Sequence, residues 1–252
     1  MAAFGQARLG RLLLVQFVVS LLAAVSVMWL LGRTWFPVVN QAITRLPAQG
    51  EIRHGTLHWD GPSPVWLAEN RWLALTVDLQ HAGEVRSPAD VEVEFGRNDF
   101  RVFSLFGFLQ IPYPKGWTMA FNQPALGPWW GAWAPPVLAL TAAFVILGLF
   151  ASWTVLAALY SLPAWLLGFF TNKDLDLRGS WRLCGAALMP GALFMITAIV
   201  CYGLGILDLI KFLAVDAAHL AIGWVYLVLG TLAAPHHPQA APAASNPFTS
   251  SG

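Results

Sequence analysis

Residues 12–32 read LLLVQFVVSLLAAVSVMWLLG, 21 positions without a charge, closed off by Arg11 and Arg33. At ~1.5 Å of rise per residue, a helix of that length crosses a hydrocarbon core of ~30 Å. A cleavable export signal would end in small residues at a cut site. This run ends instead in Trp29, Leu30, Leu31 and Gly32, so the segment is expected to stay in place as an anchor.

The same alternation of apolar and charged runs organises the rest of the chain. Of 252 residues, 57% are hydrophobic and 11% charged, against roughly 45–50% and about 25% in soluble domains. Of the 27 charges, 17 fall between Arg33 and Lys115. This is the pattern of a membrane protein carrying one polar insert, and it argues against an aqueous enzyme. The net charge of +1 and the absence of any Lys/Arg cluster make nucleic acid a poor partner.

No charge occurs between Lys115 and Lys173, yet Asn122, Gln123, Pro124, Gly127 and Pro128 offer polar and backbone groups that lipid cannot satisfy. One crossing is therefore expected here, over 134–160, entered at Pro135 and Pro136, with Pro163 breaking or bending the helix. A third span is expected over 183–206, around Pro190, and a fourth over 212–232. The fold class read from this is a membrane α-helical protein of four transmembrane helices, with a small all-β extracytoplasmic domain inserted between helices 1 and 2.

The remaining segments follow. Residues 1–11 form a cytoplasmic N-terminus, 33–104 the β domain and 105–133 an aromatic and proline-rich interfacial linker on the outer surface. Residues 161–182 form a cytoplasmic loop with an interfacial segment, 207–211 an outer turn and 233–252 a disordered cytoplasmic tail, rich in proline, alanine and serine.

Orientation rests on short loops. Arg8 and Arg11 precede the first span, while Lys173, Arg178 and Arg182 surround the link between the second and third, which places both groups on the cytoplasmic side of a bacterial inner membrane. Trp29, Trp35, Trp129, Trp130 and Trp133 then ring the outer interface as aromatic anchors, with Trp165 and Trp181 at the inner one. The same indoles could stack on a sugar or headgroup, but anchoring explains them without a ligand.

The insert carries strand signals. Ala89 to Phe95 alternates Val91, Val93 and Phe95 with Glu92 and Glu94; Gly96 to Asp99 offers a turn and Phe100 to Phe103 a return strand. With Glu51–Trp59 and Trp72–Leu79, five or six short strands are expected in an open sheet or sandwich.

Candidates for chemistry are few. No Gly-rich phosphate loop, His-Glu-x-x-His pair or Cys-x-x-Cys pair occurs, so no catalytic residue, cofactor or metal is assigned. His54, His58 and Asp60 could share a strand face and meet a metal, but a solvated face is the simpler reading. Asp208, Lys211, Asp216 and His219 place four ionisable groups within twelve residues. Inside lipid they would make an ion or proton relay; at the headgroups they are ordinary loop charges. His236 and His237 read as a solvated tail. Gly148 and Ser152 give a small-xxx-small spacing that suits close helix packing. Cys184 and Cys201 lie 17 residues apart in one apolar run, about 25 Å along a helix, too far to bridge.

Leu46, Pro47, Glu51, Ile52, Gly55, Leu57 and Trp59, followed by Pro64 and Asp78, resemble the start of the exported domain in a bacterial family of uncharacterised integral membrane proteins, some of them labelled maltodextrin-utilisation-like. The resemblance would cover roughly 12–232, and it implies one N-terminal span, a small exported domain and a cluster of further spans. It carries no catalytic residue, and its implied link to sugar use rests on the label. The Ile52-x-x-Gly55-x-Leu57 pattern is also similar, more loosely, to β-rich envelope proteins that handle lipids.

The functional expectation is a non-enzymatic envelope accessory or scaffold, whose partners are membrane lipids and another membrane protein or a second copy of itself. The alternative is a small oligomeric transporter or lipid- or sugar-handling protein.

Overall fold

The computed structural model describes residues 9–83 and 86–236. The chain opens with helix α1 (Leu9–Thr34), continued after one residue by α2 (Phe36–Thr44). Pro37 falls in the first turn of α2, where a missing N–H costs least. Long helices α3 (Gln123–Phe170), α4 (Leu177–Gly203) and α5 (Leu209–Leu232) complete the helical part. Four stretches, Leu9–Thr44, Gln123–Phe170, Leu177–Gly203 and Leu209–Leu232, are each long and apolar enough to cross a membrane.

Between α2 and α3 lie β1 (Gly50–Arg53), β2 (Thr56–Trp59), β3 (Val65–Glu69), β4 (Leu73–Val77), β5 (Val91–Phe95), β6 (Asp99–Ser104), β7 (Gly107–Pro112) and β8 (Thr118–Ala120). They form a three-stranded sheet of order β2-β1-β8 and a five-stranded sheet of order β3-β4-β5-β6-β7. All pairings are antiparallel except β4 with β5, which run parallel.

Contacts divide the chain into two compact units: Met1–Ala23 with Val145–Thr197 and Leu213–Gly252, and Ala24–Phe144 with Ala198–Phe212. The first is helical. Val19, Trp153 and Met189 form one buried cluster and Ala157, Ala164, Cys184, Ala187 and Leu227 another. Small residues let its helices approach: a Cβ at Gly191 would lie 2.7 Å from the His219 carbonyl oxygen. The seam of α3 runs through Trp153, Ala157, Ser161, Ala164 and Gly168. The expected Gly148/Ser152 pair takes no part; Ser152 is exposed and nothing lies within 4 Å of a Cβ at Gly148.

Asp176 caps α4, its Oδ1 accepting the Gly179 N–H at 2.6 Å. Asp174 N–H donates to the Pro235 carbonyl at 2.8 Å, which ties the first tail residues to the α3–α4 link. The remainder of the expected tail, 237–252 with His237, lies outside the described residues, as do residues 1–8.

In the second unit, α2 packs on β3 and β4. The core gathers Val38, Ala42, Leu46, Ile52, Leu57, Leu67, Leu73, Val77, Tyr113 and Phe121, drawn from α2 and both sheets.

Two expectations about 105–160 need correcting. The segment read as a linker supplies strands β7 and β8 and the first turns of α3. Its prolines suggested irregular chain, but Pro112 closes an edge strand, where no ladder N–H is required of it. Secondly, α3 starts at Gln123 and runs through Pro163 to Phe170, well beyond 134–160. Asn122 caps it, its Oδ1 accepting the Ala125 N–H at 3.0 Å, so the polar residues that argued against a second crossing initiate the one helix of this segment.

Candidate functional site

The insert and the chain around the α4–α5 turn meet within the second unit, and the contact is polar and specific. Asn70, between β3 and β4, accepts the N–H groups of Trp72 and Leu73 through Oδ1, both at 2.9 Å, and donates through Nδ2 to the Thr34 carbonyl at the end of α1. Arg71 is thereby presented outward. Its Nη1 donates to the Gly205 carbonyl at 2.9 Å and its Nη2 to the Leu207 carbonyl at 2.7 Å. Gly205 sits at φ +77, a left-handed conformation that glycine adopts freely. A guanidinium suits this place because one rigid fork serves two carbonyls of the α4–α5 turn.

Next to it, the Trp72 indole N–H donates to the Tyr202 carbonyl at 3.3 Å, and the Tyr202 hydroxyl donates to Asp90 Oδ2 at 2.6 Å. Asp90 lies at the start of β5. Five hydrogen bonds thus hold the five-stranded sheet and its β3–β4 turn to the end of α1, the last turn of α4 and the α4–α5 turn.

Beside this junction is a crevice of about 490 Å³ lined by Arg86, Asp90, Glu92, Phe103, Leu105 and Asp208 among others. Its floor belongs to the outward face of the sheet, where alternation along β5 puts Glu92 and Glu94. Both are buried, at 3% and 0% exposure, beneath the connection that carries the parallel crossover from β4 to β5. Burial raises the Glu92 carboxyl above its ordinary value, the neighbouring Glu94 adding to the rise, while the Ser87 N–H and Arg86 offset part of it.

Glu94 is held by His81. The imidazole Nδ1 meets Glu94 Oε1 and Nε2 meets Asp99 Oδ1 at 2.8 Å. Arg86 Nη2 stands 4.0 Å from the second Glu94 oxygen, and Arg101 Nε 3.9 Å from Asp99. A Cβ on Gly96 would lie 2.2 Å from His81 Nε2, so the bare glycine leaves room for the ring. Among the described residues no group of three His, Cys, Asp or Glu side chains could hold a metal ion.

The residues singled out from sequence fall into separate places. Asp208 and Lys211 pair at 2.7 Å, and the Lys211 side chain and N–H hold the Asp208 carboxyl below its ordinary value. Asp216 and His219 form a second i,i+3 pair at 3.4 Å on α5. Each pair closes on itself.

His54 occupies the β1–β2 turn at φ +51. His58 and Asp60 are exposed beside Glu51 in an open groove of about 510 Å³. Trp29 lies under Arg33, whose guanidinium carbon is 5.7 Å from its centroid. Trp35 is exposed, Trp129 and Trp133 stand 6.2 Å apart, and Trp130 donates its indole N–H to Asn40 at 2.7 Å. Cys184 and Cys201 are free thiols.

Sequence reasoning missed Arg71, Asp90 and His81. The alternation read along 89–95 gave no sign that Glu92 and Glu94 are buried, at 3% and 0% exposure.

No family model matches the chain, and no curated protein or solved structure matches it either.

Proposed function

We propose that this chain is a multi-pass protein of a bacterial inner membrane that acts as a non-enzymatic accessory or scaffold. Its sheet domain lies on the outer side and both termini lie in the cytoplasm. The observation that carries the scaffold reading is the grip of Arg71 on the Gly205 and Leu207 carbonyls. A domain secured to helix ends presents a fixed surface to a neighbour, whereas a domain meant to reach a distant substrate would hang on a flexible linker. Orientation is supported by Lys173, Arg178 and Arg182 flanking the α3–α4 link. Membership of the maltodextrin-utilisation-like group belongs to the same proposal. Its motif residues Ile52, Leu57 and Trp59 form the β1–β2 hairpin, with Gly55 at φ +80 in the turn.

Two measurements test this. In a background lacking Cys184 and Cys201, Lys115→Cys should react with a membrane-impermeant maleimide in intact spheroplasts and Lys173→Cys only after lysis; the reverse pattern rejects the orientation. Extraction in mild detergent should then recover the chain in a discrete assembly, through another membrane protein or a second copy. A lone 27.5 kDa chain under every condition rejects the scaffold.

A transport role is the second reading, favoured by the Asp216–His219 pair on the apolar helix α5. Proton or solute flux in vesicles that disappears with Asp216→Asn would establish it in place of the scaffold.

A further inference from the structure

We propose that the β6–β7 hairpin is a lipid-contacting element: its tip, Leu105 and Phe106, enters the outer leaflet, and the bare part of the sheet's apolar face rests on the bilayer. The inference rests on the membrane reading above and specifies what the sheet touches.

The hairpin connection is two residues long, Ser104 pairing with Gly107. Two-residue turns are normally built from Asn, Asp and Gly. Here Gly107 supplies a positive φ of +110 just after the turn, while the turn itself is Leu105 and Phe106, exposed at 54% and 84%. An apolar tip of this kind is a liability in water and an anchor in lipid.

The two faces of the sheet differ in the same sense. On one, the register aligns Val93, Val102 and Leu109 in a row with no charged group among them; Val93 packs against the core, and Val102 and Leu109 carry the row on across β6 and β7. On the other lie Glu92, Glu94 and Arg101, and its aromatic rings are capped by cations. The Arg86 guanidinium carbon is 3.8 Å from the Phe103 centroid and that of Arg101 is 5.8 Å from Phe108. Charges confined to one face leave the other suited to hydrocarbon.

Position identifies the occupant as lipid. Phe103, Ser104 and Leu105 line the same crevice as Asp208, Leu209 and Ile210, so the tip stands beside the first turn of α5. Ile210, exposed at 68%, continues the apolar surface from the tip onto that helix. The Arg71 and Tyr202 hydrogen bonds fix this height. A surface continuous with a membrane-crossing helix meets lipid before it meets another protein.

The test uses the full chain with Cys184→Ala and Cys201→Ser, reconstituted in phosphatidylethanolamine/phosphatidylglycerol vesicles. Single nitroxide labels are placed at Phe106→Cys, at Arg97→Cys on the opposite end of β6, and at Leu147→Cys on α3. Collision with oxygen, which concentrates in lipid, is compared with collision with a water-soluble nickel chelate.

The expected result is an oxygen preference of severalfold at 106 and 147 and a nickel preference at 97. A nickel preference at 106, or shielding from both probes by a protein partner or a second copy, overturns the proposal while 147 keeps its oxygen preference. Loss of that preference at 147 overturns the membrane reading itself, and this inference with it.

Discussion

The Tyr202 hydroxyl donates to Asp90 Oδ2 at 2.6 Å, joining the last turn of α4 to the first residue before β5 across 112 positions of chain. The link adds a polar hold on the sheet next to the Arg71 fork. Hydrogen bonds to charged acceptors contribute about 1.5–3 kcal/mol when shielded from water. Tyr202→Phe keeps the ring against Trp72 and Phe212 and removes only the donor. It should lower stability by about 1–2 kcal/mol in thermal unfolding of the detergent-solubilised protein, with hydrogen exchange rising first at residues 204–207 and 86–91. An unchanged midpoint would remove Asp90 from the junction.

The His81 clamp predicts non-additivity. Gly96→Ala drives a methyl into the imidazole and displaces it from Glu94, leaving a buried carboxyl without its nearest side-chain partner; His81→Ala does so directly. Each should cost about 2–4 kcal/mol. Combined, they should cost little more than either alone, because the added methyl no longer meets a ring. Chemical denaturation of the four members of the cycle gives the coupling. Additive costs would show that Gly96 is needed for another reason.

Glu92 gives a pH dependence of defined sign. Its carboxyl is raised from 4.5 by burial, so the folded protein keeps that proton to a higher pH than the unfolded chain does. The stabilisation from holding it is complete below about 4.5 and is lost as pH rises through the raised value. The melting midpoint should therefore decline across this window. Glu92→Gln, neutral throughout, should flatten the decline, and equal slopes in the two proteins would exclude Glu92 as its source.

Helix packing predicts a contrast between two glycines. Gly191→Ala places a methyl 2.7 Å from the His219 carbonyl oxygen, a backbone atom that cannot rotate away. Separating the helices should cost about 1–3 kcal/mol. Gly148→Ala meets nothing within 4 Å and should leave the midpoint unchanged or slightly raised, since alanine favours helix. Thermal unfolding in one detergent compares them.

The helical frame was legible in the sequence because lipid-length apolar runs are long and bounded by charges, as Arg11 and Arg33 bound the first. The β5–β6 hairpin was legible too: Val91, Val93 and Phe95 alternate with glutamates before the turn that begins at Gly96. What escaped depended on tertiary cover. Glu92 and Glu94 look solvated in any local window, and only the crossover that lays His81 and Arg86 over them makes that face an interior. β7 escaped for the opposite reason. It is an edge strand exposed on both faces, so Phe108 and Leu109 follow no alternation of inside and outside. The Arg71 site joins positions 134 and 136 residues apart, and no spacing rule reaches that far.

The insert closes on itself. β8 pairs with β1, and the Gln123 N–H donates to the Pro47 carbonyl at 3.1 Å, so the polypeptide departs from the sheets where it arrived. A module whose two ends touch can be excised and replaced by a short Gly-Ser bridge without stretching the helices on either side. The long helices can thus be produced with that bridge in place of the sheets, both junctions remaining adjacent in the chain.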